Sequence, residues 1–449
     1  MSFSYLARRG RCAVTHFFRR ALAAALLTAM LSSSMAARAA DLLPLSEAQR
    51  LAVQRSRQMT AQEAAASASR EMAVAAGQLP DPVLKAGIDN LPVNGADRGS
   101  TTADFMTMRR IGVMQEITRA DKRTLRRERY EREADKSLAQ KELTEAAVER
   151  ETALAWFDRS YAEATAALIG EQSMEARSEL QAAEAAYRGG RGSQADVLAA
   201  RGAIAALDDR ASDAARRVGA ARTMLARWVG DAAGLPLAAT PPFDTVRLDP
   251  ATLDTQLAHH PEIAVLGRQE EIAATEARLA EANRKSDWTV EVAFQQRGPA
   301  YSNMVSVGLS IPLQWDRNNR QDREVAAKRA MVEQARAERE ETLREHVAQI
   351  RVMLAEWQTN RERLTRYGRE QLPLARERVD AVLAAYRGGK ATLPDVLAAR
   401  RGALEVRLAA LQLEADTARL WAQLNFLFPT SHGPAPANAA NAANLRDAK

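Results

Sequence analysis

The hydrophobic pattern of this chain changes period several times, and the changes come in the same order twice. From Ser46 to about Gln78 an Ala-rich, Pro-free stretch reads as a helix capped by Ser46, and Pro80 and Pro82 end it. Two strand-like runs follow, with Gly, Asn, Pro and Thr clustered between them. In the first, Leu84, Ala86 and Ile88 alternate with Val83, Lys85, Gly87 and Asp89; Phe105 to Ile117 is a second, less regular run. An uninterrupted helical pattern then covers Asp121 to Arg188. At 1.5 Å per residue it would span on the order of 100 Å, which implies a coiled-coil or barrel-stave role. Within it Leu154, Phe157, Tyr161, Ala164 and Leu168 step by threes and fours, a heptad-type seam. A return helix runs from about Asp196 to Val229.

After a Gly/Pro linker at 230–252 the plan repeats. A helix starts near Pro261 and runs to about Lys285, and strand-like runs occupy 288–295 and 304–313. A long helix covers about Asn319 to Arg387, with Leu343, Val347, Ile350, Leu354 and Trp357 as its seam, and a return helix reaches about Phe428. Gly368 and Pro373 are expected to bend the long helix locally. The chain therefore divides into a repeat at 40–229, the linker, a second repeat at 253–428, and a tail at 429–449 whose Ala, Asn and Pro read as flexible.

The turns between long and return helices show the duplication directly. Residues 185–201 read AAYRGGRGSQADVLAAR and 384–400 read AAYRGGKATLPDVLAAR, identical at 12 of 17 positions. Each is the tip of a helical hairpin, because Gly reaches positive φ without Cβ strain where a helix must stop and reverse. The chain is a tandem duplication built around two tips.

Composition adds a compartment. Residues 1–39 read as a secretory signal peptide: five arginines (Arg8, Arg9, Arg11, Arg19 and Arg20) precede an apolar run from Ala21 to Leu31, and Ala37-Arg38-Ala39 offers a cleavage site. That run is too short to span a membrane. The formal net charge of +6 belongs to this leader, whose six arginines have no acidic counterparts, so the remaining chain is near neutrality and a nucleic-acid reading loses its support. The one cysteine, Cys12, also lies in the leader, leaving an exported chain without thiols.

Strict alternation marks the strands of the second half. Trp288, Val290, Val292 and Phe294 form one apolar face; Val305, Val307, Leu309, Ile311 and Leu313 form another. A lipid-facing barrel strand has this pattern, and so does an ordinary half-buried hairpin. Export and strand count separate the two. Four strands cannot close a barrel, and an open edge cannot face lipid, whereas three copies supply twelve strands. The expected fold is an α+β membrane protein, four strands per chain in a trimeric twelve-stranded β-barrel with long helices projecting beneath it.

With tips, plan and strands in hand, the chain resembles the TolC-like outer-membrane efflux protein family over essentially all of its length after the leader. The resemblance rests on the two Tyr-x-x-Gly tips followed by Asp-Val-Leu, on His260-Pro261-Glu262-Ile263, and on Gly308 to Asn319 (GLSIPLQWDRNN). The last stretch is similar to the strand-to-helix corner of the heavy-metal branch exemplified by CzcC. This resemblance implies an outer-membrane homotrimer of a Gram-negative cell, its barrel continued by a twelve-helix periplasmic tunnel. It also implies partners: a periplasmic adaptor, and through it a proton-driven inner-membrane pump of the RND type. The tips, with Tyr187, Gly189, Gly190, Tyr386, Gly388 and Gly389, would meet the adaptor. Asp196 and Asp395 match acidic residues of the family's tunnel constriction, while Ala199 and Ala398 stand where its best-known member has a second acid. Three Asp395 carboxylates converging on an axis would repel one another unless neutralised. Both aspartates also suit helix N-cap regions.

Other signals carry less. Adjacent His259 and His260 project in different directions, and His260 has only Ile263 and Ala264 at i+3 and i+4, so no metal site is expected; Pro261 marks a helix start beside them. Arg/Glu-rich stretches such as 126–133 alternate in sign, as solvated or salt-bridged helix faces do. No nucleophile–base set, phosphate loop or metalloprotease motif occurs, so neither catalysis nor a cofactor is expected. The function so read is passive export, with heavy-metal cations as cargo. Drug efflux, type I protein secretion and a periplasmic coiled-coil adaptor are the alternatives, and an adaptor needs no lipid-facing strands.

Overall fold

Long helices and one sheet make up the computed structural model, which describes residues 42–430. The expected leader with Cys12 and most of the tail lie outside the described residues. The chain begins with α1 (Leu45–Arg55) and α2 (Arg57–Ala76) where one helix was expected. Ser56 adopts an extended conformation between them, and its hydroxyl accepts the Met59 amide, capping α2. Pro44, not Ser46, occupies the first cap position, because the chain enters α1 two residues earlier to bury Leu45.

β1 (Val83–Asp89) and β2 (Met108–Ile117) form the first hairpin, followed by α3 (Ala120–Arg188), a single helix of 69 residues. α4 (Gln194–Val229) returns along it. The linker contains a 3₁₀ turn at Gly230–Gly234 and α5 (Leu253–Leu257), and α6 (Pro261–Ala282) opens the second half. β3 (Trp288–Gln296) and β4 (Met304–Ser310) make the second hairpin. Strand geometry stops at Ser310 rather than residue 313 because Pro312 has no N–H to pair. α7 (Gln321–Arg366), a π turn at Tyr367–Gln371 and α8 (Leu372–Arg387) replace the expected continuous helix. That interruption falls at Gly368 and Pro373, where Pro removes a hydrogen-bond donor. α9 (Leu393–Asn425) completes the chain.

The four strands form one antiparallel sheet in the order β1-β2-β3-β4, so the halves join where β2 pairs with β3. Two helical cores lie at the middle of the molecule. In one, Trp156 and Phe157 of α3 pack edge-to-face among Leu45, Leu225, Ala418 and Ala422, and the Trp156 indole donates to the Leu43 carbonyl at 3.0 Å. In the other, Ile350, Leu354 and Trp357 of α7 meet Leu248, Leu257 and Leu424. The second seam is thus a core seam, as its spacing implies. The first is only partly so: Phe157, Tyr161 and Leu168 are buried while Ala164 is exposed. The linker is packed, since Trp421 donates to the Thr245 carbonyl and the Asn425 side chain accepts the Arg247 amide.

Candidate functional site

The sheet segregates its chemistry by face. Partners Leu84, Val113, Val292 and Val307 lie side by side across all four strands, as do Ile111, Phe294 and Val305. This face is uncovered: Val307 is 74% and Leu84 is 68% exposed. The opposite face carries Lys85, Arg110 and Glu291, with Lys85 Nζ 2.9 Å from one Glu291 oxygen and the Arg110 guanidinium on the other. Among the described residues, no strand pairs with the outer edges of β1 and β4. A contiguous apolar sheet face with two open edges is a surface awaiting lipid or another chain.

At the helix tips the sequence dictates local geometry in full. Gly190 has φ 69° and Gly389 φ 70°. At each tip the amide of the second Gly bonds to the Tyr carbonyl (Gly190 to Tyr187, Gly389 to Tyr386, both 3.0 Å). The next amide reaches back one residue further, Arg191 to Ala186 and Lys390 to Ala385. This is the Schellman arrangement, and it explains why two glycines close each helix. Gly189 and Gly388 keep negative φ and serve as the C-caps.

Asp196 and Asp395 act in the turns that follow. Asp196 Oδ2 accepts from the Ser193 amide and hydroxyl at 3.0 and 2.7 Å; Asp395 Oδ2 does the same with Thr392 at 2.9 and 2.6 Å. Each is the third residue of a capping box. Hydrogen bonds from the Thr392 side chain and backbone hold the Asp395 carboxyl below its usual pKa. The tips differ in packing: Tyr187 is exposed, while Tyr386 packs on a small core of Ala183, Val197, Leu393 and Val396 that binds the two hairpins together.

Above this core a cavity of about 290 Å³ opens between α3, α4 and α9. Arg400 of α9 enters it and pairs with Glu175 and Glu179 of α3. Burial pushes the Glu179 carboxyl up, against the pull of Arg400.

The helix start at Pro261 holds a cluster that sequence spacing does not show. His260 is buried and its Nδ1 accepts the Glu262 amide at 3.3 Å. His346, brought by α7, places Nε2 3.0 Å from Glu262 Oε2, and the two imidazoles lie edge-to-face at 4.9 Å. Burial above all, with help from His346 and Arg150, lowers the His260 pKa to about 4. His259 is exposed and faces its own Thr255 carbonyl. Spacing at i+3 and i+4 from His260 does not reveal this grouping, because Glu262 lies two residues on and His346 comes from another helix.

Among the described residues no helix is long and apolar enough to cross a membrane. Residues 279–428 match the family model described as "Outer membrane efflux protein". No curated protein matches the chain. Several solved structures are similar in fold. The outer membrane protein VceC of Vibrio cholerae is 18% identical, with a TM-score of 0.69 over 85% of this chain and 95% of that one. CusC, a structure described in terms of transmembrane channel formation, is 15% identical with a TM-score of 0.73 over 86% and 92%. The Campylobacter jejuni CmeC outer membrane channel is 13% identical with a TM-score of 0.71 over 89% and 88%. This chain therefore has the fold of these outer-membrane channel structures, and its residues 279–428 carry the match to the outer membrane efflux protein family.

Proposed function

We propose that the protein is the outer-membrane duct of a tripartite efflux system. Three copies close their four-stranded sheets into a twelve-stranded barrel in the outer membrane, and their helices line a tunnel across the periplasm. The observation that carries this reading is the bare apolar sheet face flanked by two unpaired edges. Pairing β4 of one copy with β1 of the next satisfies both edges and turns the apolar face to lipid. The Schellman tips with Tyr187, Gly189, Gly190, Tyr386, Gly388 and Gly389 dock on a periplasmic adaptor, which links the duct to a proton-driven inner-membrane pump of the RND type. Asp196 and Asp395 narrow the tunnel behind them while serving as caps. The duct is passive.

The cargo we infer is heavy-metal cations, on the strength of the corner at Gly308–Asn319. There β4 hands the chain to α7: Ser286 donates to the Pro312 carbonyl at 2.6 Å, and Asn319 donates to Asp316 at 3.0 Å. The decisive experiment is growth of a deletion strain across zinc, cobalt, cadmium, nickel and copper salts beside a panel of dyes and antibiotics. Sensitivity confined to metals, restored by the intact gene, supports this cargo. Sensitivity confined to organic compounds replaces it with drug efflux and leaves the duct reading intact.

A further inference from the structure

We propose that His260, Glu262 and His346 form a resident binding site for one divalent transition metal of the zinc type, at the waist of the molecule and separate from any cargo. The three side chains offer one imidazole nitrogen, one carboxylate oxygen and one imidazole nitrogen, all within 4.8 Å of one another. Two imidazoles and a carboxylate suit zinc and its neighbours, and disfavour magnesium and calcium, which take oxygen ligands. A fourth position remains for water.

The geometry is close to loading. Ligands on tetrahedral zinc sit about 3.3 Å apart, given bond lengths of about 2.0 Å. His346 Nε2 and Glu262 Oε2, at 3.0 Å, already have that spacing, so only the His260 ring has to approach. His260 is also the second, independent sign of a ligand. Its side chain is almost wholly buried, with 3% of the residue exposed, and Nε2 makes no well-formed hydrogen bond among the described residues, the Leu427 backbone acting on the ring only weakly beside burial. Buried polar atoms are nearly always satisfied, and an imidazole nitrogen without a well-formed hydrogen bond, beside a second imidazole and a carboxylate, is a ligand atom once the ring takes its other tautomer.

Loading balances simply. Through Nε2, the ring proton moves to Nδ1 and the 3.3 Å contact with the Glu262 amide opens; through Nδ1, the metal replaces that contact. Either way both imidazoles bind neutral and Glu262 binds as carboxylate. Arg150 of α3 acts on His260 and opposes added positive charge, and Glu262 is the anion that offsets it. A bound ion would tie the start of α6 to the middle of α7 beside the core of Ile350, Leu354 and Leu257.

Purified full-length protein in detergent, dialysed against zinc chloride with magnesium chloride as control, tests the site. The expected result is one zinc per chain, no magnesium, and a melting temperature that rises with zinc. H346A and E262Q, both at partly exposed positions, should weaken zinc at least tenfold and abolish the rise. H259A, and H432A beyond the described residues, should change neither. Wild-type uptake below one zinc per chain overturns the proposal whatever the variants do, and so does equal uptake by wild type and a folded E262Q. The readout needs no barrel, trimer or cargo, so its failure leaves the duct reading standing, and the reverse holds.

Discussion

Val113 lies directly opposite Val292 in the ladder between β2 and β3, and this pairing stitches the two duplicated halves into one sheet. One step along the same strands, Gly112 faces Ala293 so closely that a Cβ at 112 would stand 2.7 Å from the Ala293 Cβ and 2.9 Å from the Val292 carbonyl oxygen. The halves meet where only glycine fits.

Gly112→Val should therefore split the sheet at its middle. Overpacking of this kind costs about 1–3 kcal/mol. If three copies close the proposed barrel, the expected outcome is a lower yield of heat-resistant oligomer in the membrane fraction, read by semi-native electrophoresis. Gly87→Val, on β1 with nothing within 4 Å of its Cβ, is the control and should assemble normally.

Val307→Arg places a charge on the bare apolar face without touching the ladder. If that face meets lipid, the cost is about 2–4 kcal/mol at mid-membrane depth. Outer-membrane assembly, measured by fractionation, should fall. Ser306→Arg, on the opposite face beside Ala293, should be tolerated. Equal tolerance of both would mean that the face does not meet lipid.

Gly389→Ala should loosen the second tip, because a Cβ in left-handed backbone costs about 1–2 kcal/mol. Gly402→Ala, in mid-α9 with open space around it, should instead stabilise by about 0.5–1 kcal/mol. Hydrogen exchange of the α8–α9 turn separates the two: faster in the first, slower or unchanged in the second.

The Asp395 cap makes a pH prediction. Its folded pKa is depressed, so its contribution is present above the unfolded carboxylate value of about 3.9 and is lost as pH falls through the lower folded value. Asp395→Asn should melt below wild type at pH 7, and the difference should close below about pH 4. In lipid bilayers, Asp395→Ala should also alter cation selectivity or closed-state leak. Unchanged conductance and selectivity would confine Asp395 to its capping role.

Arg400→Gln should leave Glu175 and Glu179 facing each other across a half-buried site. Breaking such a pair, discounted for its partial exposure, costs about 1–3 kcal/mol at neutral pH. Because burial already raises the Glu179 carboxyl, protonation there relieves the loss, so the variant should recover stability as pH falls and Glu179 takes up its proton. Arg400→Gln with Glu179→Gln should recover it at pH 7, as thermal melts would show.

Much of this protein was fixed by local order along the chain. Period-2 runs placed β1, β3 and β4, the paired glycines placed both tips, and Ser193-x-x-Asp196 and Thr392-x-x-Asp395 made their own caps, because each of these features involves residues within a few positions of one another. Gly368 and Pro373 likewise marked the π turn. Other features depended on which surfaces meet. Ser56 breaks the first helix and Ala164 leaves the first seam because packing on α3 overrides helical period. The β2–β3 junction brings together strands whose sequences state their faces but not their partners. Arg400 finds Glu179, and His346 finds His260 and Glu262, only when separate helices are laid side by side. A chain can write its turns and periods in neighbouring residues, but clusters assembled from distant segments exist only in the packing that assembles them.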